Sequence, residues 1–284
     1  MTQAIPTPAQ RYEIVDAHQH VGGLADALSR MSYPIGADRD VATDVTQRVA
    51  AMDSAGVDWA LLQPSHGYLK ADGIVDTMRL NDRMLQYKLI APDRFRAVLG
   101  TVEPMHGERS LPEIDRCKQM GLDGLAWHHR FQGCYIDSPW MWPILERMQA
   151  AGLVPLVHVN VESSLESHWR LQRLARDFPD MTFIAMDGLW SYERCRHVLY
   201  TASETPNIVW DFGGPVNATS IEEWIKYNGS QTVCFSADLA YGGGASGPPK
   251  LLETILQAAI SEVDRANVLG QNISRAFGIA AAPG

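Results

Sequence analysis

Short apolar runs alternate with longer stretches of helical periodicity along nearly the whole chain. The apolar runs fall at residues 13–17, 57–63, 95–101, 122–127, 154–159, 182–186, 208–212 and 232–235, each of a length and composition that suits a buried strand. Helical patterns occupy 43–55, 74–91, 111–120, 139–151, 167–178, 192–202 and 221–227, with two more at 250–259 and 264–277. The first puts Val45, Val49 and Met52 on one face, and Gly56, Gly121 and Gly152 stand where helices should stop. Continuous apolar strands, each followed by an amphipathic helix, predict a parallel sheet covered on its outer face. Eight such units close into a (β/α)8 TIM barrel. The rival, a doubly wound open sheet, usually carries a Gly-x-Gly-x-x-Gly turn after its first strand. Here Gly22-Gly23 follows instead. A single barrel domain is therefore expected over residues 1–284, with a flexible segment at 1–11, and the stretches 29–44 and 242–249 are expected to cover the barrel mouth.

A barrel of this kind carries its chemistry at the C-terminal ends of its strands. His18, His20, His66, Glu103, His128, His129, His158, Asp187 and Asp238 all occupy such ends or the loops just beyond. In the segment Ile14-Val15-Asp16-Ala17-His18-Gln19-His20, strand alternation sends His18 and His20 to one face and brings Asp16 with them. Two imidazoles converging from one strand end suit a divalent metal. Alternation also lets at most one of His128 and His129 point into the barrel. His66 and Tyr68 after the second strand, Arg130 as a fork for a carboxylate, and Trp190 are candidates to line a substrate pocket. A surface loop, a surface charge and a core aromatic are their bland alternatives.

Composition narrows the classes. Apolar residues make up 46% of the 284 and charged residues 20%, enough for a sizeable core. A formal charge of −9 with no long basic run argues against nucleic acid or an anionic membrane as partner, and leaves room for a small-molecule substrate. Cys117, Cys134, Cys195 and Cys234 form no Cys-x-x-Cys pair, which favours reduced thiols and a cytoplasmic setting. No apolar stretch approaches the roughly 20 residues of a membrane span.

The ordered motifs carry a family resemblance. Asp16-Ala17-His18-Gln19-His20, Val154-Pro155-Leu156-Val157-His158, Ser236-Ala237-Asp238 and Asn272-Ile273-Ser274-Arg275-Ala276-Phe277-Gly278 are similar to the amidohydrolase superfamily, in its amidohydrolase-related branch of hydrolases, lactonases and non-oxidative decarboxylases. Asn81-Asp82, Pro92-Asp93-Arg94-Phe95 and Gly121-Leu122-Asp123-Gly124 fit the same branch. The resemblance implies that His18, His20, His158 and Asp238 hold one divalent ion, zinc first, with manganese or a metal-free site as alternatives. It implies hydrolysis of a small, carboxylated cyclic (lactone-like) or amide substrate through a metal-activated water, with Asp238 as general base. It also allows a homo-oligomer, since barrels of this branch often pair through surface helices. The alternatives are metal-dependent non-oxidative decarboxylation of an aromatic or unsaturated acid, and a non-catalytic ligand-binding barrel. Members of this branch commonly carry a histidine after strand six. This chain has Asp187 there, which makes Asp187 and His128 the candidates to fill that role.

Overall fold

The structure, a computed structural model, describes residues 12–21, 40–64, 72–189, 192–214, 216–237 and 249–280. Eight parallel strands follow one another in a single sheet: β1 (Val15–Val21), β2 (Trp59–Pro64), β3 (Ala97–Gly100), β4 (Gly124–Trp127), β5 (Val154–His158), β6 (Phe183–Met186), β7 (Ile208–Asp211) and β8 (Val233–Cys234). The Ala17 amide donates to the Phe235 carbonyl at 3.2 Å and links the two ends of the sheet. The helices between them are α1 (Val41–Ala55), α2 (Ile74–Ile90), α3 (Leu111–Met120), a short α4 (His129–Gln132), α5 (Met141–Ala151), α6 (His168–Asp177), α7 (Tyr192–Leu199) and α8 (Ala218–Asn228). After β8 come α9 (Lys250–Gln257), α10 (Glu262–Ala266) and α11 (Asn272–Ala276). The expected (β/α)8 barrel is the observed one.

Two apolar layers follow from strand alternation. Trp59, Leu61, Ala97, Leu99, Ala126, Leu156, Ile184 and Met186 fill the barrel interior, where Ile273 from α11 joins them. Ala60, Leu62, Val98, Leu125, Trp127, Val157 and Ala185 face outward against the helices. Gly124 is required where β4 meets β5, because a Cβ there would stand 2.1 Å from the Val154 carbonyl oxygen. Gly124→Ala is expected to lower stability by about 1–3 kcal/mol or more, since backbone and not a flexible side chain must move. Urea unfolding measures the shift, and an unchanged midpoint would refute it.

The glycine stops hold, with Gly56, Gly121 and Gly152 in left-handed caps at φ 73°, 95° and 63°. Two local expectations need correction. β1 runs on to Val21 and so contains both histidines. The helical pattern at 264–277 is two short helices joined by a π turn at Asn267–Gln271, because the Asn272 side chain turns to the carbonyls of Ser230 and Val233. Arg48, on the nominally polar side of α1, is buried; it pairs with Asp44 at 2.7 Å and donates to the His20 carbonyl at 2.7 Å. Tyr87 of α2 also donates to Asp44, and burial together with that carboxylate pushes its phenol up to about 12. This network ties two helices to the end of β1. The expected flexible segment at 1–11 and nearly all of both expected mouth covers lie outside the described residues.

Candidate metal centre and its surroundings

The site begins with a fault in strand register. β1 pairs Asp16 with Ala60 and Gln19 with Leu62, so two residues, Ala17 and His18, oppose Leu61 alone. Such a bulge shifts the facing parity by one. Asp16 and Gln19 stand opposite outward-facing residues and bond to each other at 2.9 Å, while His20 pairs with Gln63. The expectation that Asp16 shares a face with the histidines is therefore corrected. Its carboxylate instead accepts the amides of His18 and Ala237, holding the end of β8 against β1. Burial raises its pKa against these hydrogen bonds.

His18 and His20 do converge. Their Nε2 atoms lie 2.7 Å apart, and both rings are buried at the strand end. Asp211, which closes β7, fixes the other side of His18 at 3.1 Å from Nδ1 and is itself held by the Ser236 hydroxyl at 2.5 Å. Asp187 follows β6 in a tight turn and is the non-glycine of positive φ (60°) among the described residues. Aspartate tolerates that region better than most, and such strain is stored at functional sites. The turn sets its carboxylate between two strands, 3.6 Å from His18 Nδ1 and 3.1 Å from His158 Nε2.

His158 closes β5 with a carboxylate on each side: Glu166 Oε2 is 2.8 Å from Nδ1, opposite Asp187 at Nε2. Burial pulls this imidazole down, but the two carboxylates outweigh it and its pKa ends above the ordinary value. His128, just past β4, stacks on the His158 ring with centroids 3.5 Å apart. Its neighbour His129 faces the other way, stacked on Trp127, and burial lowers it to about 4. The one-in, one-out expectation for this pair matches the structure.

Asp187, Asp211 and Glu166 thus surround His18, His20, His128 and His158 in a pocket where Glu166 and Asp211 are almost wholly buried. Buried carboxylates are costly without a compensating cation. Imidazole nitrogens and carboxylate oxygens are the donors that zinc and manganese accept. Two groups of three, His18–Asp187–Asp211 and His128–His158–Glu166, each bring three ligand atoms within 4.8 Å of one another. The residues present fit a divalent ion.

Of the sequence candidates, the structure brings His18, His20, His128, His158 and Asp187 into one constellation. Arg130 lies beside it, 3.6 Å from Glu166 and with its guanidinium over the Phe131 ring. Asp238, His66, Tyr68 and Trp190 lie outside the described residues. Asp211 and Glu166 were missed. Asp211 ends an apolar strand and obeys the same strand-end rule as Asp187; Glu166 sits in a loop and has no local signal.

Eight strands close a TIM barrel whose C-terminal rim carries imidazoles and carboxylates, a donor set suited to a divalent ion. Residues 15–279 match the model of the amidohydrolase family, and the chain belongs to that family. No curated protein matches it in sequence. Among solved structures it is similar to 5-carboxyvanillate decarboxylase from Sphingomonas paucimobilis, at 20% identity and a TM-score of 0.70 over 95% of this chain and 100% of that one. It is similar to 2,6-dihydroxybenzoate decarboxylase from Rhizobium at 15% identity and a TM-score of 0.73, covering 94% and 99%. A third, 5-carboxyvanillate decarboxylase from Novosphingobium aromaticivorans in complex with manganese and 4-hydroxy-3-methoxy-5-nitrobenzoic acid, matches at 17% identity and a TM-score of 0.70, covering 98% and 100%. At these identities the likeness establishes the common barrel. No helix among the described residues is long and apolar enough to cross a membrane.

Proposed function

We propose that the chain is a divalent-metal-dependent, non-oxidative decarboxylase of small aromatic or unsaturated carboxylic acids. The observation that carries this reading is the constellation itself: His18 and His20 turned nitrogen to nitrogen at 2.7 Å, with Asp187 reaching from His18 to His158. His18, His20, His158 and Asp238 would hold the ion. Manganese has the better support, because a structural neighbour contains it, and nothing favours zinc specifically. Bound there, the ion supplies a Lewis acid for an acidic substrate's oxygens.

The chain's own groups then have defined tasks. Loss of CO2 leaves an electron pair on carbon, which must take up a proton. His128 and Asp187 are the groups beside the metal ligands able to carry one. Ala126, Ile184 and Met186 belong to the apolar interior of the barrel, on the same strands that carry His128 and Asp187 to the rim. Arg130, partly exposed, is the remaining cation for a substrate carboxylate, with His66, Tyr68 and Trp190 as wall candidates. A reduced, cytoplasmic protein without nucleic-acid or membrane partners belongs to the same reading, supported by the charge of −9 and by the buried free thiols Cys117, Cys134 and Cys234.

Hydrolysis, the first expectation from sequence, has less support, because the similar structures of stated activity are decarboxylases. The two readings divide in one assay. Manganese-loaded protein is expected to release CO2 from 2,6-dihydroxybenzoate or 5-carboxyvanillate, and a chelator is expected to stop it. Opening of lactones or amides without CO2 release from any acid would overturn the proposal in favour of hydrolysis. Absence of both, with no metal in the purified protein, would mean a non-catalytic barrel.

A further inference from the structure

We infer that Glu166 is a positioning residue, an anchor that orients the imidazole of His158 and, through the ring stacked on it, that of His128. It lies in the loop between β5 and α6 and is 0% exposed. Its two oxygens divide the work. Oε2 is 2.8 Å from Nδ1 of His158, while Oε1 is 3.3 Å from Nδ1 of His128 and accepts the Arg130 amide at 3.0 Å. The Arg130 guanidinium stands 3.6 Å from Oε2.

The loop that carries Glu166 is itself braced. The Glu166 amide donates to the Ser163 carbonyl at 3.1 Å, and the Asn160 amide donates to the Glu166 carbonyl at 2.8 Å. Ser167 Oγ donates to the same Ser163 carbonyl at 2.9 Å, and the Glu162 amide donates to Asn160 Oδ1 at 2.9 Å. A carboxylate on so fixed a backbone reaches the two rings from one direction.

An ionised carboxylate only accepts hydrogen bonds, so a nitrogen facing it carries the hydrogen. His158 with its hydrogen on Nδ1 presents the Nε2 lone pair, the atom that faces Asp187 in this structure and the one a metal takes. The His128 ring stacks on it at 3.5 Å with an interplanar angle of 26°, so turning one collides with the other. One carboxylate therefore sets which nitrogen of His158 is available, and the stack holds His128 against that ring. Asp211 stands in the same relation to His18, at 3.1 Å from Nδ1.

This inference rests on His158 being a metal ligand, as proposed above, and its test separates the two ideas. Full-length protein and Glu166→Gln are each titrated with manganese by calorimetry. The ring-nitrogen NMR spectrum of the metal-free parent reads the tautomer of His158. A glutamine amide puts a donor at one of the two oxygen positions, so it cannot accept from both His158 Nδ1 and the Arg130 amide as the carboxylate does. Manganese affinity is expected to fall about 10- to 100-fold in Glu166→Gln, the loss usual for an outer partner of a ligating histidine. The parent is expected to hold His158 with hydrogen on Nδ1. Manganese affinity in Glu166→Gln within about twofold of the parent would overturn the inference. So would a metal-free parent whose His158 is protonated on Nε2 alone, a readout that stands even if the variant does not fold. Failure of the parent to bind manganese or zinc at all would instead sink the metal-site reading.

Discussion

Replacing His18 and His20 together by asparagine is expected to abolish retention of manganese or zinc and all metal-dependent turnover, while leaving a cooperatively folded barrel. The bulge at Ala17 and His18 puts both rings at one strand end with their Nε2 atoms 2.7 Å apart. Two nitrogens that close from one strand are a chelating pair, and removing them takes away half of the expected four ligands. The loss should exceed the roughly 10- to 100-fold that a change in an outer partner costs. Asparagine is chosen over alanine because Asp211 is almost fully buried and loses its imidazole partner. A carboxylate stranded there would cost stability for reasons unrelated to metal, and an amide can still donate to it. Elemental analysis after purification without chelator, manganese titration and CO2 release form the readouts, with a thermal melt to establish folding. Metal retained at the parent stoichiometry would remove β1 from the centre and with it the proposed chemistry.

Much of the barrel was legible because its signal is local. Runs such as Val154–His158 are buried on both faces and so read as uninterrupted apolar strands, and glycine stops such as Gly121 are set by backbone conformation alone. What the sequence concealed depends on pairing between distant segments. The bulge in β1 exists because of its register against β2, so simple alternation misplaced Asp16. Arg48 and Asp44 satisfy each other, Tyr87 and the His20 carbonyl, and so could be buried on a face whose residue types suggest solvent. The continuous periodicity at 264–277 gave no warning that Asn267 and Asn272 would turn to Ser230 and Val233. At the site, histidines at strand ends were readable by position. Asp211 was readable by the same rule, and Glu166, reached through a loop that folds back on His158, was not. Hydrolysis and decarboxylation were hard to separate for a chemical reason: both use the same nitrogens and carboxylates to hold the ion.

Stability is expected to fall as pH rises from about 5 to about 8, and Glu103→Gln is expected to remove much of that slope. Glu103 follows β3 and is 0% exposed. Its partner is the Gln132 side chain, whose Nε2 donates to Oε2 at 3.1 Å. Burial pushes its pKa from 4.5 up to about 8, with the Gln132 hydrogen bond opposing the rise. Between those values the folded protein keeps a proton that the unfolded chain has released. The stabilising contribution is complete below the unfolded value and is lost as pH climbs through about 8. Each pH unit in that window costs about 1.4 kcal/mol, so the total is on the order of a few kcal/mol. Glutamine stays neutral throughout and can still accept from Gln132. Its amide also supplies a donor near the Gln132 Oε1, a buried oxygen without a hydrogen-bond partner. Urea unfolding of both proteins at pH 5 and pH 8.5 measures the effect. Little difference is expected at the lower pH, and a gain on the order of a few kcal/mol for Glu103→Gln at the higher. Parallel losses in the two proteins would show that Glu103 ionises in the folded barrel without penalty, and that another group carries the pH dependence.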